Sequence, residues 1–380
     1  MTLKCSVVIP VYNRSHLLKI SLQSLNNQTL PKSEYEVVIV DDGSNDEIGT
    51  VMKGLNVDYD YKYIRLEKHH SASRARNEGI LRSEGAVIVF LDGDQIAPSD
   101  FLREHLLYHE SYDNFLVSSY RTHLKNIPDA LPDNLEDLEI ERYDVRHKVS
   151  AMVSNNWSRL KAGWHLCFTN NLSVRREHLQ GEGALFDEEF MGWGLEDCEF
   201  AYRLWKKGLK IALNPRAFVH HMPHPANFDL KRFEQWQKNL DLFCKKHPAP
   251  EVLAQRVFID RFHPDTRNTV TWNDCYLRLE LICELLHNNE CFKSIPKEII
   301  LVKDSKDVLS CIEMIRAISG GDKMYCILDY TDDPALEIEI QKHEFSEYMQ
   351  LWRMNETVDG DFYQELIRFR VEGARINKFF

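Results

Sequence analysis

Two hydrophobic patterns alternate through the first hundred residues. Short, almost wholly apolar runs end in turn residues, and amphipathic stretches at helical spacing separate them. The run "CSVVIPVY" (5–12) is β-branched and contains Pro10. It is followed by "SHLLKISLQSLNNQ" (15–28), with Leu18, Leu22 and Leu25 on one helical face and Ser15 as a candidate cap. "YEVVIVDDGS" (35–44) predicts a buried strand ending in acids and glycine. "YDYKYIRL" (59–66) predicts another strand, and "SASRARNEGILRS" (71–83) a helix packed through Ala72 and Ala75. "GAVIVFLDGD" (85–94) repeats the pattern of a buried strand that ends in acids. Apolar strands alternating with amphipathic helices imply an α/β fold with a mainly parallel sheet covered on both faces. Ligands of such sheets bind beyond the carboxyl ends of the strands. Both acidic clusters, Asp41-Asp42 and Asp92-Asp94, fall there.

Further along, "NIPDALPDNLEDLEIERYD" (126–144) predicts a loop or lid. "EDCEFAYRLWKKG" (196–208) predicts a helix lined by Cys198, Ala201, Leu204 and Trp205, with lysines in its last turn and Gly208 as its stop. The proline-rich "HMPHPANFD" marks a boundary. Beyond it lie long amphipathic patterns (229–247 and 272–289) and a candidate small βαβ element (297–330). The expected organisation is a nucleotide-binding half (1–100), an acceptor-binding and catalytic half (101–225), and a mostly helical accessory region (226–380) with that element. The accessory region is expected to pack on the catalytic half and recognise the acceptor, or to form a homodimer interface.

The 380 residues carry a net charge of −12, which gives no broad basic footprint for nucleic acid. No apolar run approaches the roughly 20 residues that span a bilayer, and the start lacks the form of a signal peptide. These features predict a cytoplasmic protein, with peripheral contact at the inner membrane face as an option. Nine scattered cysteines without a CxxC predict reduced, buried thiols.

Chemistry concentrates at four places. A lone DxD such as Asp92-Gly93-Asp94 is more often a turn, but two carboxylates converging at a strand end are what a divalent cation on a diphosphate needs. Arg74 and Arg76 diverge by about 200° on a helix, so one of them can face a phosphate. His220, His221 and His224 offer imidazoles after a strand, and alternation alone does not choose between the adjacent pair. Finally, "FMGWGLEDCEF" (190–200) sets Trp193 between two glycines, just before Glu196, Asp197 and Glu199. An acidic helix start is favoured by the helix dipole. A flanked indole is also suited to stacking on a sugar, and an ionised carboxylate to acting as a general base. Glu199, two residues further on, is expected to face away from Asp197, and its replacement by Gln to be mild.

"SVVIPVYNR", "EVVIVDDGSND", "SRARNEGI" and "FLDGDQI", in this order, resemble family 2 glycosyltransferases of the GT-A fold. "GWGLEDCEFAYRLWKKG" is similar to the catalytic segment of galactosyltransferases and of the GalNAc-transferring part of bacterial chondroitin polymerases. The resemblance covers residues 3 to about 224. It implies that Pro10, Tyr12 and Asp42 line the nucleotide pocket, and that Asp92 and Asp94 with His221 hold Mn²⁺ or Mg²⁺. Asn170 and Asn171 fall in the donor-sugar loop. Asp197 matches the base and Glu196 a group binding substrate hydroxyls. Retaining relatives commonly have Asn in the place of Asp197, so Asp implies inversion. The implied activity is transfer from a UDP-sugar to a hydroxyl of a polysaccharide, glycolipid, peptide or small molecule. The alternative is a catalytically inactive binding relative.

Overall fold

The computed structural model describes residues 3–153, 156–225, 228–286, 297–321, 323–331, 333–353 and 375–378. The apolar runs form strands: β1 (Cys5–Val11), β2 (Tyr35–Asp41), β3 (Asp60–Arg65), β4 (Val87–Leu91), β5 (Gln95–Ile96), β6 (Phe115–Ser118), β7 (Arg121–Leu124), β8 (Ile140–Tyr143), β9 (Asn171–Arg175), β10 (Lys210–Leu213) and β11 (Val219–His221). A seven-stranded sheet has the order β10-β6-β9-β4-β1-β2-β3. Its pairs are parallel except those made by β9, which runs antiparallel to β4 and β6. Strands β2 and β4 are buried at every position, as expected of strands covered on both faces. This is the GT-A architecture.

A second sheet, β5-β11-β7-β8, sits at the carboxyl edge of the first. β5 begins directly after Asp94, and its Gln95 pairs with His221 of β11. The DxD and the histidine segment, far apart in the chain, are thereby brought into register. The proline-rich stretch after β7 packs through Leu131, Leu135 and Leu138 on Leu17, Ile96 and Met222.

The expected boundary at residue 225 does not separate two cores. Phe233, Trp236, Leu240 and Phe243 of the helix Leu230–Lys246, and Tyr276 and Leu279 of the helix Trp272–Leu286, share one core with Trp164, Phe186, Phe200 and Leu204. The apolar faces of the amphipathic patterns that suggested an accessory region are turned into the core formed by the preceding residues. A separate core begins only later, in a parallel sheet of order β14-β13-β12-β15, with β12 (Lys297–Val302), β13 (Met324–Asp329), β14 (Met349–Arg353) and β15 (Arg375–Lys378). The end of the predicted 272–289 helix lies outside the described residues. The small sheet docks on the large one. Gln341 donates to the Leu213 carbonyl at 3.0 Å and accepts from the Leu213 N–H at 2.8 Å, and Asn156 donates to the Ser346 and Met349 carbonyls, both at 2.8 Å. Among the described residues, no helix is long and apolar enough to cross a membrane. Cys5, Cys167, Cys198, Cys244, Cys275, Cys283 and Cys311 are free and buried.

A histidine network braces β9 from within. His105 Nδ1 lies 2.8 Å from Ser173 Oγ, and its Nε2 lies 2.9 Å from Asn171 Oδ1. His109 Nε2 shares the same Ser173 hydroxyl at 2.8 Å. Burial holds His105 down from its ordinary 6.5 to about 4. The depressed folded value means that the unfolded chain binds the proton first, so stability present above pH 6.5 drains away as pH falls toward 4. That one group should cost about 3 kcal/mol across this window. Urea midpoints measured between pH 7 and 4 should fall accordingly, and His105→Gln should flatten the slope.

Candidate active site

The loops after β1 and β2 are stitched together. Asn13 N–H donates to Ser44 Oγ at 2.9 Å, and Ser15 N–H donates to Asp46 at 2.8 Å. The adjacent acids divide their work. Asp41 is internal, accepting from Ser44 N–H and from the Tyr63 hydroxyl, each at 2.8 Å. Asp42 holds the loop 66–70, accepting from His70 N–H at 3.0 Å and meeting His69 Nδ1 at 2.8 Å. Gly43 makes this possible. Its φ is +73°, and a Cβ there would stand 2.5 Å from the Lys68 carbonyl carbon. Burial pushes the Asp42 carboxyl up, while the His70 N–H pulls it back. Tyr12, two residues beyond the partly exposed Pro10, stacks on His69 with ring centroids 3.9 Å apart and planes 20° apart.

The second acidic cluster meets the histidines. His224 Nε2 lies 3.1 Å and His221 Nε2 3.7 Å from Asp94 Oδ2. One donor atom from each of the three lies within 4.8 Å of the others, the one such metal-competent group among the described residues. Asp94 Oδ1 and His221 Nδ1 are buried without a hydrogen-bond partner. The unpartnered Asp94 oxygen, beside two imidazoles whose Nε2 atoms approach the same carboxylate, fits a divalent cation, while the His221 Nδ1 lies across its ring from them. His220 points elsewhere, to Thr122 Oγ1 at 2.8 Å, so the geometry selects His221 and adds His224. Pro223 breaks the strand alternation between the two, which is why spacing did not single out His224. Burial holds His221 at about 4, neutral and with a lone pair to give. The Asp94 hydrogen bond raises His224. Burial works against the Asp94 carboxylate, but His224 and His221 hold it below its ordinary range.

Arg76 joins this cluster to the acidic helix start. Its guanidinium, 7% exposed, lies 3.2 Å from Glu196 Oε1 and 3.7 Å from Asp92 Oδ1. Burial and the neighbouring Asp94 push Asp92 up, against the pull of Arg76. Burial, and then repulsion from Glu196, likewise push Asp197 up. The helix Glu196–Lys206 starts from an unusual turn. Gly192, Gly194 and Leu195 have φ of +76°, +98° and +71°. A Cβ on Gly194 would lie 2.9 Å from the Trp236 ring. Asn239 donates to the Met191 and Gly194 carbonyls at 3.1 and 2.8 Å. The turn that aims Asp197 is therefore clamped by the helix Leu230–Lys246, a link that the sequence patterns did not reveal.

Several expected site residues are engaged elsewhere. Asn171 is fully buried and donates to the Tyr120 and Ala217 carbonyls at 3.1 and 2.7 Å, so its side chain braces β9 and faces no ligand. Asn170 accepts from Arg146 at 3.3 Å. Arg74 turns away from Arg76 to Glu188, at 3.2 Å. Trp193 has Arg232 over its ring at 4.3 Å and packs against Phe228 and Phe262, which leaves that indole face closed to a sugar. Glu199 does face away from Asp197, but into the core. It is 1% exposed and meets Arg203 at 2.6 Å and His247 at 2.8 Å.

Carboxylates at the ends of β2 and β4, on either side of β1, with the β4 pair joined through Arg76 to an acidic helix behind a glycine turn, are the arrangement expected of a GT-A glycosyltransferase. Residues 6–163 match the family described as Glycosyl transferase family 2, and residues 151–225 match the one described as N-terminal domain of galactosyltransferase. Through residues 6–225 the chain is thus similar to family 2 glycosyltransferases, with a galactosyltransferase-type segment at the end of that stretch. YfnE of Bacillus subtilis (strain 168), an uncharacterized glycosyltransferase, is 26% identical over 70% of this chain and 77% of its own. Validoxylamine A glucosyltransferase of Streptomyces hygroscopicus subsp. jinggangensis is 29% identical over 65% of this chain and 62% of its own. Chondroitin synthase of Escherichia coli is 27% identical over 66% of this chain and 38% of its own. The chain thus spans less than two thirds of the length of the last two.

Glu199 faces away from Asp197 as expected, and its burial adds a stability role that the sequence did not show. Glu199→Gln leaves Arg203 and His247 without their shared anion and should cost roughly 1–3 kcal/mol. Urea denaturation checks this, and nucleotide affinity measured on the folded fraction should be unchanged.

Proposed function

We propose that the protein transfers a sugar from a UDP-sugar to an acceptor hydroxyl, with inversion and with the help of a divalent cation, Mn²⁺ or Mg²⁺. The observation that carries this reading is the Asp94–His221–His224 cluster, tied through Asp92 and Arg76 to the helix that begins Glu196-Asp197. A cation held by Asp94, His221 and His224 would offset the charge that develops on the leaving diphosphate. Asp42 and Tyr12 receive the nucleobase and ribose, with Pro10 beside them. Arg76 neutralises Asp92 and Glu196 so that neither repels the incoming diphosphate.

Asp197 accepts the acceptor's hydroxyl proton. The acceptor oxygen bonds to the anomeric carbon as the bond from that carbon to the phosphate oxygen breaks, and UDP departs with the electron pair. Attack from the face opposite the leaving group inverts the centre. Glu196 orients substrate hydroxyls and, by repulsion, keeps Asp197 basic. The named relatives include an enzyme of a small molecule and one of a polysaccharide. The reading therefore stands at the level of an acceptor hydroxyl, with carbohydrate, lipid-linked, peptide and small-molecule acceptors all in range.

Chelator should abolish transfer, and Mn²⁺ or Mg²⁺ should restore it. His224→Ala should weaken the activating metal by more than the roughly 10–100-fold that loss of an outer-shell partner costs. A metal titration of activity measures this, and transfer in excess chelator would refute the metal role. For the base, Asp197→Asn should slow turnover by roughly 10²–10⁴ with UDP affinity little changed, and NMR of the product should show the inverted anomer. The acid limb of kcat/KM should lie above the ordinary carboxylate range, because the base works only when deprotonated and its pKa is raised. Glu196→Gln removes the repulsion and should move that limb to lower pH.

A further inference from the structure

A ring already occupies the place assigned to the nucleobase. The His69 imidazole lies on Tyr12 at 3.9 Å, nearly parallel, and its Nδ1 stands 2.8 Å from Asp42 Oδ2. A uracil on the same platform would offer the same two features, a flat face for the tyrosine and a ring N–H for the carboxylate. With His69 in place, Asp42 is 3% exposed, so no base reaches that carboxylate until the imidazole leaves. The other Asp42 oxygen is held by the His70 N–H at 3.0 Å and need not move.

The local chain is built for such an exchange. The His69 side chain is 51% exposed, so a swing outward returns it to water with little loss of packing. Gly43 lets the backbone at Lys68 and His69 press onto the Asp42 turn, which keeps the ring within reach of its place. One stacked ring on a half-exposed tyrosine and one hydrogen bond from a half-exposed imidazole are weak holds on a side chain. Such a contact delays a ligand without excluding it.

We propose that His69 is a built-in competitor for the nucleobase, a side-chain plug that stacks on Tyr12 and bonds Asp42 until the nucleotide displaces it. The proposal rests on the UDP-sugar reading above. A pocket that is open only part of the time binds with its intrinsic affinity reduced by the open fraction. Removing the plug therefore tightens binding, an outcome that misfolding cannot imitate.

The experiment is calorimetric titration of the full-length protein with UDP in the presence of Mg²⁺. His69→Ala should bind UDP about three- to tenfold more tightly than the unsubstituted protein, as expected when a mostly closed pocket becomes fully open. His69→Phe, which can stack but cannot donate to Asp42, should fall between the two. Weaker binding by His69→Ala would overturn the proposal and make His69 a wall of the pocket. Equal and measurable affinity would also overturn it, while leaving the donor reading intact. No UDP binding by either protein would overturn the donor reading itself, and the plug with it.

Discussion

The site depends on one nearly buried guanidinium. Arg76 stands between Asp92, which follows β4, and Glu196, which opens a helix 120 positions further along the chain. Without a cation there, four carboxylates (Asp92, Asp94, Glu196 and Asp197) would face one another in a partly desolvated space, where repulsion is severe. Arg76 offsets that repulsion and fixes a geometry at the same time. Its neighbour Asn77 does the mechanical share, donating to the Phe186 carbonyl at 2.9 Å and accepting from the Phe186 N–H at 2.9 Å. Two consecutive residues of one helix thus tie the first hundred residues to the segment 186–196.

The strand-end part of this arrangement was legible in the chain because its signals are local. An all-apolar run that ends in acids can be little other than a buried strand with carboxylates at its tip, and β2 and β4 fit that description. The divergence of Arg74 and Arg76 also follows from helix geometry alone, and it selects Arg76 once the fold is known. Other parts depend on contacts distant in sequence and left no local trace. Asn171 reads as a polar loop residue, yet its amide satisfies two carbonyls and a histidine inside the core. Trp193 reads as an exposed platform, yet a distant arginine covers its face. Asn239, Trp236 and Gln235 lie in a stretch that looks like any amphipathic helix, and only the left-handed turn they touch shows what the helix is for.

That turn shows how stability and chemistry share the same residues. Leu195 takes a left-handed φ of +71°, a conformation that costs a side-chain-bearing residue of order 1 kcal/mol or more. The surrounding structure offsets the cost through the Asn239 hydrogen bonds and the packing of Trp236. The helix that begins one residue later therefore emerges in a fixed direction, and Asp197 with it. A looser turn would be cheaper to fold and would leave the carboxylate free to wander.

The docking of the small parallel sheet carries a consequence for solubility. β10 is an edge strand of the seven-stranded sheet, and an unpaired edge is a template on which another chain can add a strand. The Gln341 amide donates to one carbonyl of that edge and accepts from the N–H of the same residue, Leu213, so a single side chain imitates one rung of a β-ladder. Ile338, itself buried, lies in one cluster with Phe115, Val117 and Ala212 on the same flank. The C-terminal unit thus serves as a guard rail along the open side of the catalytic sheet. It closes that border to pairing with other chains, whatever else it recognises.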